Sequence, residues 1–233
     1  MSKKLYALFV PLLAVVALVA VPAAAQAAPQ WFLCKKVAAG TGKFTTISCG
    51  TEKAASNFEK VLVGNLSSAV LVTSKNVAGV NAVLKTATGS ITCTTVTDES
   101  FIWNRGGRGR DINEVEFSGC TAAGALAGCT VATPIVVEAS TRLEEEAAKF
   151  YNKYFAVSEE PFTEVTLSGA GCAAVGTFPV TGTARGEIAT GGTGGKIQKF
   201  NAGEKTLKFL GAEAEFTGET EQEGPGGAGV FVK

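Results

Sequence analysis

The chain has 233 residues, balanced acidic and basic side chains, and no histidine. A net charge of zero argues against nucleic acid as a partner, because nucleic acids are drawn by a basic field. The absence of histidine excludes Ser-His-Asp and Cys-His nucleophilic catalysis, His-ligated zinc and imidazole general-base chemistry. No phosphate-binding or dinucleotide-binding glycine motif is present in its proper context, so we expect no cofactor.

The first residues are typical of an export signal. Lys3 and Lys4 precede an apolar run from Leu5 to Val21, and small residues follow up to Ala27. A basic start, an apolar middle and an A-x-A ending describe a secretory signal peptide. The competing interpretation is a membrane anchor, since about 20 apolar residues span a bilayer. We favour a signal peptide over residues 1–27, followed by a single secreted domain over 28–233.

An alternating pattern over 176–190 predicts a half-buried β-strand. Apolar or small side chains at even positions, such as Phe178 and Ile188, alternate with mostly polar ones at odd positions. A period of two places the two sets on opposite faces of a strand. Short segments of the same kind recur on both sides, separated by glycine-rich turns. We therefore predict an all-β fold, an antiparallel barrel or sandwich of about ten or more short strands.

One segment in the second half of the chain allows a helix to compete with strands. Apolar residues recur there at helical spacing, and Thr141 with Glu144 forms a capping box. The alternative is a hairpin of 150–157 with 162–168. We expect at most one short helix, over Arg142–Lys149.

Six cysteines follow the signal peptide: Cys34, Cys49, Cys93, Cys120, Cys129 and Cys172. An even number in an exported chain predicts disulfides, and the lack of a close C-x-x-C pair argues against a metal site. A hairpin folded at Thr41 and Gly42 places Cys34 opposite Cys49, which is the first pairing we predict. Proximity favours Cys120 with Cys129 and leaves Cys93 with Cys172, although six cysteines allow fifteen connectivities.

The region after the signal peptide opens on the pattern W-x-x-C-x-K-V-x-x-G-T-G-K-[YF]…C, carried by Trp31, Cys34, Lys36, Val37, Gly40, Thr41, Gly42, Lys43, Phe44 and Cys49. Together with Phe117–Cys120, Gly128–Cys129 and the segment around Cys172, this pattern resembles a large group of uncharacterised secreted proteins from high-GC Gram-positive bacteria. The resemblance spans most of the chain after the signal peptide. It implies strands rather than a helix in 150–168, and it implies no activity, because the group has no assigned function.

Three groups of residues are candidate functional sites. Arg105, Arg108 and Arg110 lie in a glycine-rich segment and could grip a phosphate or a sulfated or acidic glycan bidentately. The alternative for them is a solvated hairpin tip. Glutamates in predicted strands are the candidates for hydrolysis of a glycosidic bond by paired carboxylates. They are Glu114, Glu116, Glu138 and Glu164.

A third group is a set of glutamates near the C-terminus at odd positions, which share one face of a strand. They are Glu213, Glu215, Glu219, Glu221 and Glu223. Weak cation binding is one interpretation. The other, which we favour, is a charged outer face paired with lysines of a neighbouring strand. The candidate lysines are Lys196, Lys199, Lys205 and Lys208.

These observations favour a non-enzymatic structural or binding protein, secreted or associated with the cell envelope, that contacts a glycan, a cell-wall polymer or a protein. We expect no stable membrane span after signal cleavage. The alternative is a secreted carboxylate-based glycoside hydrolase. Chemistry at a reactive cysteine would require one of the six to be unpaired.

Overall fold

The computed structural model of the chain describes residues 27–157, 161–189, 197–201 and 206–233. In these residues the chain forms only β-strands and two short 3-10 turns, Leu66–Ser68 and Pro225–Gly227. The strands are β1 (Trp31–Lys36), β2 (Gly42–Phe44), β3 (Glu52–Ser56), β4 (Phe58–Leu62), β5 (Val70–Asn76), β6 (Ala82–Thr86), β7 (Gly89–Arg105), β8 (Arg108–Gly124), β9 (Thr130–Val131), β10 (Ile135–Glu146), β11 (Lys149–Ala156), β12 (Thr163–Ser168), β13 (Gly176–Gly182), β14 (Ala184–Ile188), β15 (Ile197–Phe200), β16 (Leu207–Phe209), β17 (Ala212–Glu223) and β18 (Val230–Val232). The predicted all-β, antiparallel architecture is confirmed.

Eight strands of the larger sheet close into a barrel. Their order around the wall is β5-β7-β8-β10-β11-β14-β15-β17, and pairing of β17 with β5 closes the ring. A barrel of eight strands has an interior just wide enough to be filled by side chains or to hold one small ligand. Of the two architectures that the sequence left open, the structure is therefore a barrel. We call this ring the upper section.

Three long strands, β7, β8 and β17, extend the wall below that ring. The C-terminal half of β17 pairs with β5 and β15, whereas its N-terminal half pairs with β6 and β16. From β16 the sheet continues through β13 and β12 to β9. We call β6, β9, β12, β13 and β16, together with the adjacent halves of β7, β8 and β17, the lower section. Its interior holds the larger apolar core, which includes Ile91, Val165, Leu167 and Phe209.

A five-stranded sheet in the order β18-β1-β4-β2-β3 covers the upper end of the barrel. Its Trp31 is almost fully buried and packs with Leu143 of the barrel wall in a second apolar cluster. Asn104 ties the two parts together, because its Nδ2 donates to the carbonyl oxygens of Trp31 and Val63, at 3.0 and 2.6 Å. In return the Trp31 amide donates to Asn104 Oδ1, at 2.8 Å.

The predicted bond between Cys34 and Cys49 is present, but the hairpin that led to it is not. Strand β4 lies between β1 and β2, so β1 pairs with β4 and β18 instead. The two cysteines meet because the segment before Cys49 packs beside Gly229, which in turn accepts from the Cys34 amide at 2.9 Å.

The other two predicted disulfides are wrong. Cys93 bonds to Cys120, because the two are direct cross-strand partners in the long β7–β8 hairpin. Cys129 bonds to Cys172, because β9 pairs with β12 and so places the residues flanking these strands side by side. All six cysteines lie in the described residues and none is free, so no thiol is present for cysteine chemistry.

Residues 141–155 form strands, and no helix forms over Arg142–Lys149. Ala147 and Ala148 have φ angles of 50° and 61°, which make the tight turn between β10 and β11. The predicted hairpin of 150–157 with 162–168 is also wrong, because β11 pairs with β10 and β14, while β12 pairs with β13 and β9.

The alternation is confirmed over 176–188 but belongs to two strands, and Thr190 lies outside the described residues. β13 ends at Gly182, whose φ of 109° is the left-handed conformation that favours glycine. A side chain at this position would also meet the Thr206 carbonyl oxygen at 2.2 Å. The chain therefore shifts here from the lower section, where β13 pairs with β16, to the upper section, where β14 pairs with β11 and β15.

The glutamates of β17 do face lysines of neighbouring strands. Lys85 Nζ lies 3.9 Å from Glu215 Oε1, and Lys199 forms an ion pair with Glu219. Lys208 is the direct cross-strand partner of Glu213. Lys196 and Lys205 lie outside the described residues.

Most of the predicted signal peptide, residues 1–26, also lies outside the described residues, and so does the glycine-rich segment 191–195. Within the described ranges, no helix has the length and apolar character needed to cross a membrane.

Candidate functional site

The three candidate arginines lie on strands rather than in a loop. β7 runs to Arg105 and β8 begins at Arg108, so the hairpin turns on Gly106 and Gly107 alone. Both glycines have positive φ angles, 59° and 75°, as a two-residue hairpin turn of the primed type requires. The tight turn fixes the register and therefore fixes where each arginine stands relative to the neighbouring strands.

A row of basic residues crosses the outer face of the barrel. Arg110 on β8 is opposite Trp103 on β7 and opposite Arg142 on β10. The row continues from Arg142 to Lys153 on β11 and then to Arg185 on β14. Four adjacent strands thus place cationic side chains directly opposite one another, an arrangement that is destabilising unless the charges are compensated.

This row opens at the hairpin end into a pocket of about 580 Å³. Arg105, Arg108 and Arg110 all line it, and Trp103 and Phe155 supply aromatic surface. Trp103 lies at an outward-facing position of β7, between the inward-facing Ile102 and Asn104. It is nevertheless only 9% exposed. The site therefore combines guanidinium groups, which bind anions through charge-assisted hydrogen bonds, with aromatic surface on which a sugar ring can pack.

The charges at this pocket repel one another. Partial burial lowers the pKa of Arg110, and the nearby positive charges of Arg108, Arg142 and Arg105 lower it further. Among the described residues, no ion pair involves Arg105, Arg108 or Arg110. Asp111 also lines the pocket but forms no ion pair with these arginines, so within the described ranges their charges are not paired with a carboxylate.

Arg142 is held in place from two sides. Its Nε donates to Glu144 Oε1 at 2.8 Å, and its Cζ lies 5.0 Å from the centre of the Phe155 ring. Lys153 approaches the same ring, with Nζ 5.7 Å from its centre. Phe155 thus orders two cations of the row beside the pocket.

The glutamates considered for hydrolysis lie elsewhere on the outer surface. Glu114 on β8 is opposite both Glu99 on β7 and Glu138 on β10, and all three are exposed. Neither this pocket nor the apolar cavity inside the barrel, which is described below, is lined by Glu114, Glu116, Glu138 or Glu164. Glycoside hydrolysis stays a prediction from the sequence.

The interior of the upper section contains a polar layer that the sequence analysis missed. Asp111 is 2% exposed and accepts from Asn113 Nδ2 and Asn152 Nδ2, each at 2.8 Å. Burial raises the pKa of Asp111 to about 7, although these hydrogen bonds and the nearby Thr141 act in the opposite direction. The Oδ1 atoms of Asn113 and Asn152 and the Thr141 hydroxyl have no hydrogen-bond partner.

A second buried carboxyl group lies on the neighbouring strand. Asp98 accepts from the hydroxyls of Ser74 and Ser100, and burial raises its pKa to about 6. On the other side of the barrel Gln222 donates to Gln198 at 2.9 Å, and Gln198 donates to the Tyr154 hydroxyl at 2.6 Å. One signal was available in the sequence: Asp98 and Asp111 are the only aspartates of the chain.

No known protein family matches the chain, and neither a curated protein nor a solved structure is detectably similar to it.

Proposed function

We propose that the protein is an exported, non-enzymatic binding module that recognises phosphate or sulfate groups on a glycan or cell-wall polymer. The observation that carries this proposal is the pocket lined by Arg105, Arg108 and Arg110. Guanidinium groups bind such anions through paired, charge-assisted hydrogen bonds. A bound anion would also relieve the repulsion that lowers the pKa of Arg110.

The shape of the site supports a polymer rather than a free ion. The basic row extends from the pocket across β10, β11 and β14. Arg142 and Arg185 pair there with Glu144 and Glu146, and Lys153 lies between them, so an anionic chain that leaves the pocket meets further cations. Apolar surface lies beside the basic row. Phe101 on β7 and Ile112 on β8 are cross-strand partners there and are 53% and 47% exposed. Aromatic and apolar surface next to cations suits the rings of a charged sugar chain.

Export is supported by the covalent structure. Three disulfides are typical of proteins from oxidising compartments and are rare in the cytosol. The basic and apolar segments at the start of the chain support a signal peptide that ends at Ala27. The resemblance of the Trp31–Cys49 pattern to secreted proteins of high-GC Gram-positive bacteria agrees with the same location.

The test is calorimetric titration of the exported protein with a sulfated polysaccharide and with a neutral one of the same backbone. We expect binding to the sulfated polymer only, weakening as salt rises, since each neutralised anion releases counterions. The double variant R108Q/R110Q should lose about tenfold or more in affinity, which corresponds to about 1.4 kcal/mol.

The matched control is K35Q/K36Q, which removes two exposed positive charges from β1. Its affinity should stay near that of the unchanged protein. Equal losses in both double variants would show that net charge alone causes binding, and would contradict the proposal. Binding of an acidic protein, but of neither an anionic glycan nor a phosphorylated polymer, would contradict the proposed ligand class.

A further inference from the structure

The barrel also contains an apolar cavity of about 130 Å³ below the polar layer. Its wall includes Leu84, Ile91, Val96, Val165 and Val180. Two of the residues around it, Ala82 on β6 and Ala184 on β14, contribute only a methyl group each. Since small side chains stand where the two barrel sections meet, the interior is not filled by the chain itself.

One wall of this cavity is a chain of aromatic rings. Ring centres lie 5.5 Å apart for Tyr154 and Phe200, 5.0 Å for Phe200 and Phe216, and 5.7 Å for Phe216 and Phe117. The last two pairs meet edge to face. Rings arranged in this way can make the same contacts with one further ring inside the cavity.

The carboxyl groups that border the cavity already have partners in the protein. Asp98 accepts from Ser74 and Ser100, and Glu219 forms an ion pair with Lys199. No lysine or arginine lines the cavity among the described residues, so it offers no counter-ion to an anionic ligand. The surroundings therefore suit an uncharged molecule.

We propose that this cavity is a binding site for a small, uncharged, apolar molecule with a single ring. A dry apolar cavity of about 150 Å³ in another protein binds benzene, so the volume here suits a molecule of that size. The site is separate from the arginine pocket, which lies on the outer surface, and neither proposal depends on the other.

The test is a titration of the full exported protein with benzene, followed through methyl resonances in NMR spectra. The methyl groups of Ile91 and Val165 line the cavity and should shift in a saturable manner. Those of Val63 and Val230 belong to the apolar cluster under the five-stranded sheet and should not. Shifts that do not saturate, or that are equal in both sets, would overturn the proposal.

Filling the cavity provides the decisive variant. V180F places a ring in the space and should weaken benzene binding at least about tenfold. A184L fills the same space from β14 and replaces V180F if that variant does not fold. V136F is the control, because Val136 is 38% exposed and does not line the cavity. Unchanged binding in a folded, filled variant would also overturn the proposal.

Discussion

Arg110 and Arg142 are direct cross-strand partners on neighbouring strands of the barrel, and both carry a positive charge. Like charges in directly opposed positions of a sheet are destabilising. Arg142 is compensated by Glu144, whereas no ion pair involves Arg110 among the described residues. The chain thus maintains a local repulsion at the rim of its outer pocket, which is the physical basis of the anion site.

The first prediction concerns the stability of the protein without a ligand. Arg110→Gln removes one of the repelling charges, so the free energy of unfolding should rise by up to about 1 kcal/mol at low salt. The gain should shrink as salt screens the charges. Urea denaturation at two ionic strengths measures both effects. Lys36→Gln, on the exposed end of β1, is the control and should change little.

The second prediction concerns pH. Burial raises the pKa of Asp111 from 3.8 to about 7, so the folded protein holds a proton that the unfolded chain releases. The free energy of unfolding should therefore fall as pH rises from about 4 to about 7, by up to roughly 4 kcal/mol for this group. Asp111→Asn should reduce that slope and stabilise the protein above pH 7.

The Asn side chain should be accepted at position 111. Rotation of the Asn152 amide would present its Oδ1, which has no partner now, to the new NH₂ group. Thr95→Asn is the control, because Thr95 is exposed and neither side chain titrates, so the slope should stay unchanged. An unchanged slope in Asp111→Asn would show that folding does not raise the pKa of Asp111, and would contradict the prediction.

The third prediction concerns the packing of the polar layer. A Cβ atom at Gly186 would lie 2.4 Å from Gln198 Nε2, which donates to Tyr154. Gly186→Ala should therefore displace Gln198 and lower the free energy of unfolding by about 1–3 kcal/mol. Gly171→Ala is the control, since its nearest atoms lie 3.9 Å away. The cost of Gly186→Ala should be smaller in a Gln198→Ala background, and equal costs in both backgrounds would contradict the account.

The fourth prediction concerns the covalent map. Proteolysis without reduction, followed by mass spectrometry, should give linked peptides for Cys93 with Cys120 and for Cys129 with Cys172. A peptide that joins Cys120 to Cys129 would contradict the register of the β7–β8 hairpin.

The register of that hairpin was available from the sequence. If the chain turns on Gly106 and Gly107, residues at equal distances before and after this turn lie opposite each other. Cys93 and Cys120 are such a pair. The predicted pairing is wrong because the sequence analysis places Arg105, Arg108 and Arg110 together in a glycine-rich segment rather than on two strands joined by a two-residue turn. Cys34 and Cys49 were paired correctly by the same reasoning, although their contact depends on the packing of Gly229 rather than on a hairpin.

Other features depend on tertiary structure and could not be predicted. The capping box of Thr141 and Glu144 is overridden because Leu143 is fully buried in the apolar cluster under the five-stranded sheet. The basic row is formed by residues far apart in sequence, such as Arg110 and Arg185, and becomes visible only when the strand order is known. The alternation over 176–190 was predictable because it needs only local periodicity.

The central claim is that the arginine pocket is where an anionic polymer binds, and the two tryptophans of the chain allow a direct test. Trp103 lines that pocket, whereas Trp31 is buried under the five-stranded sheet. In NMR spectra of the indole N–H groups, the account predicts that a sulfated polysaccharide shifts the Trp103 signal in a saturable manner and leaves the Trp31 signal unchanged. Binding that leaves the Trp103 signal unchanged would place the anion elsewhere and contradict the account.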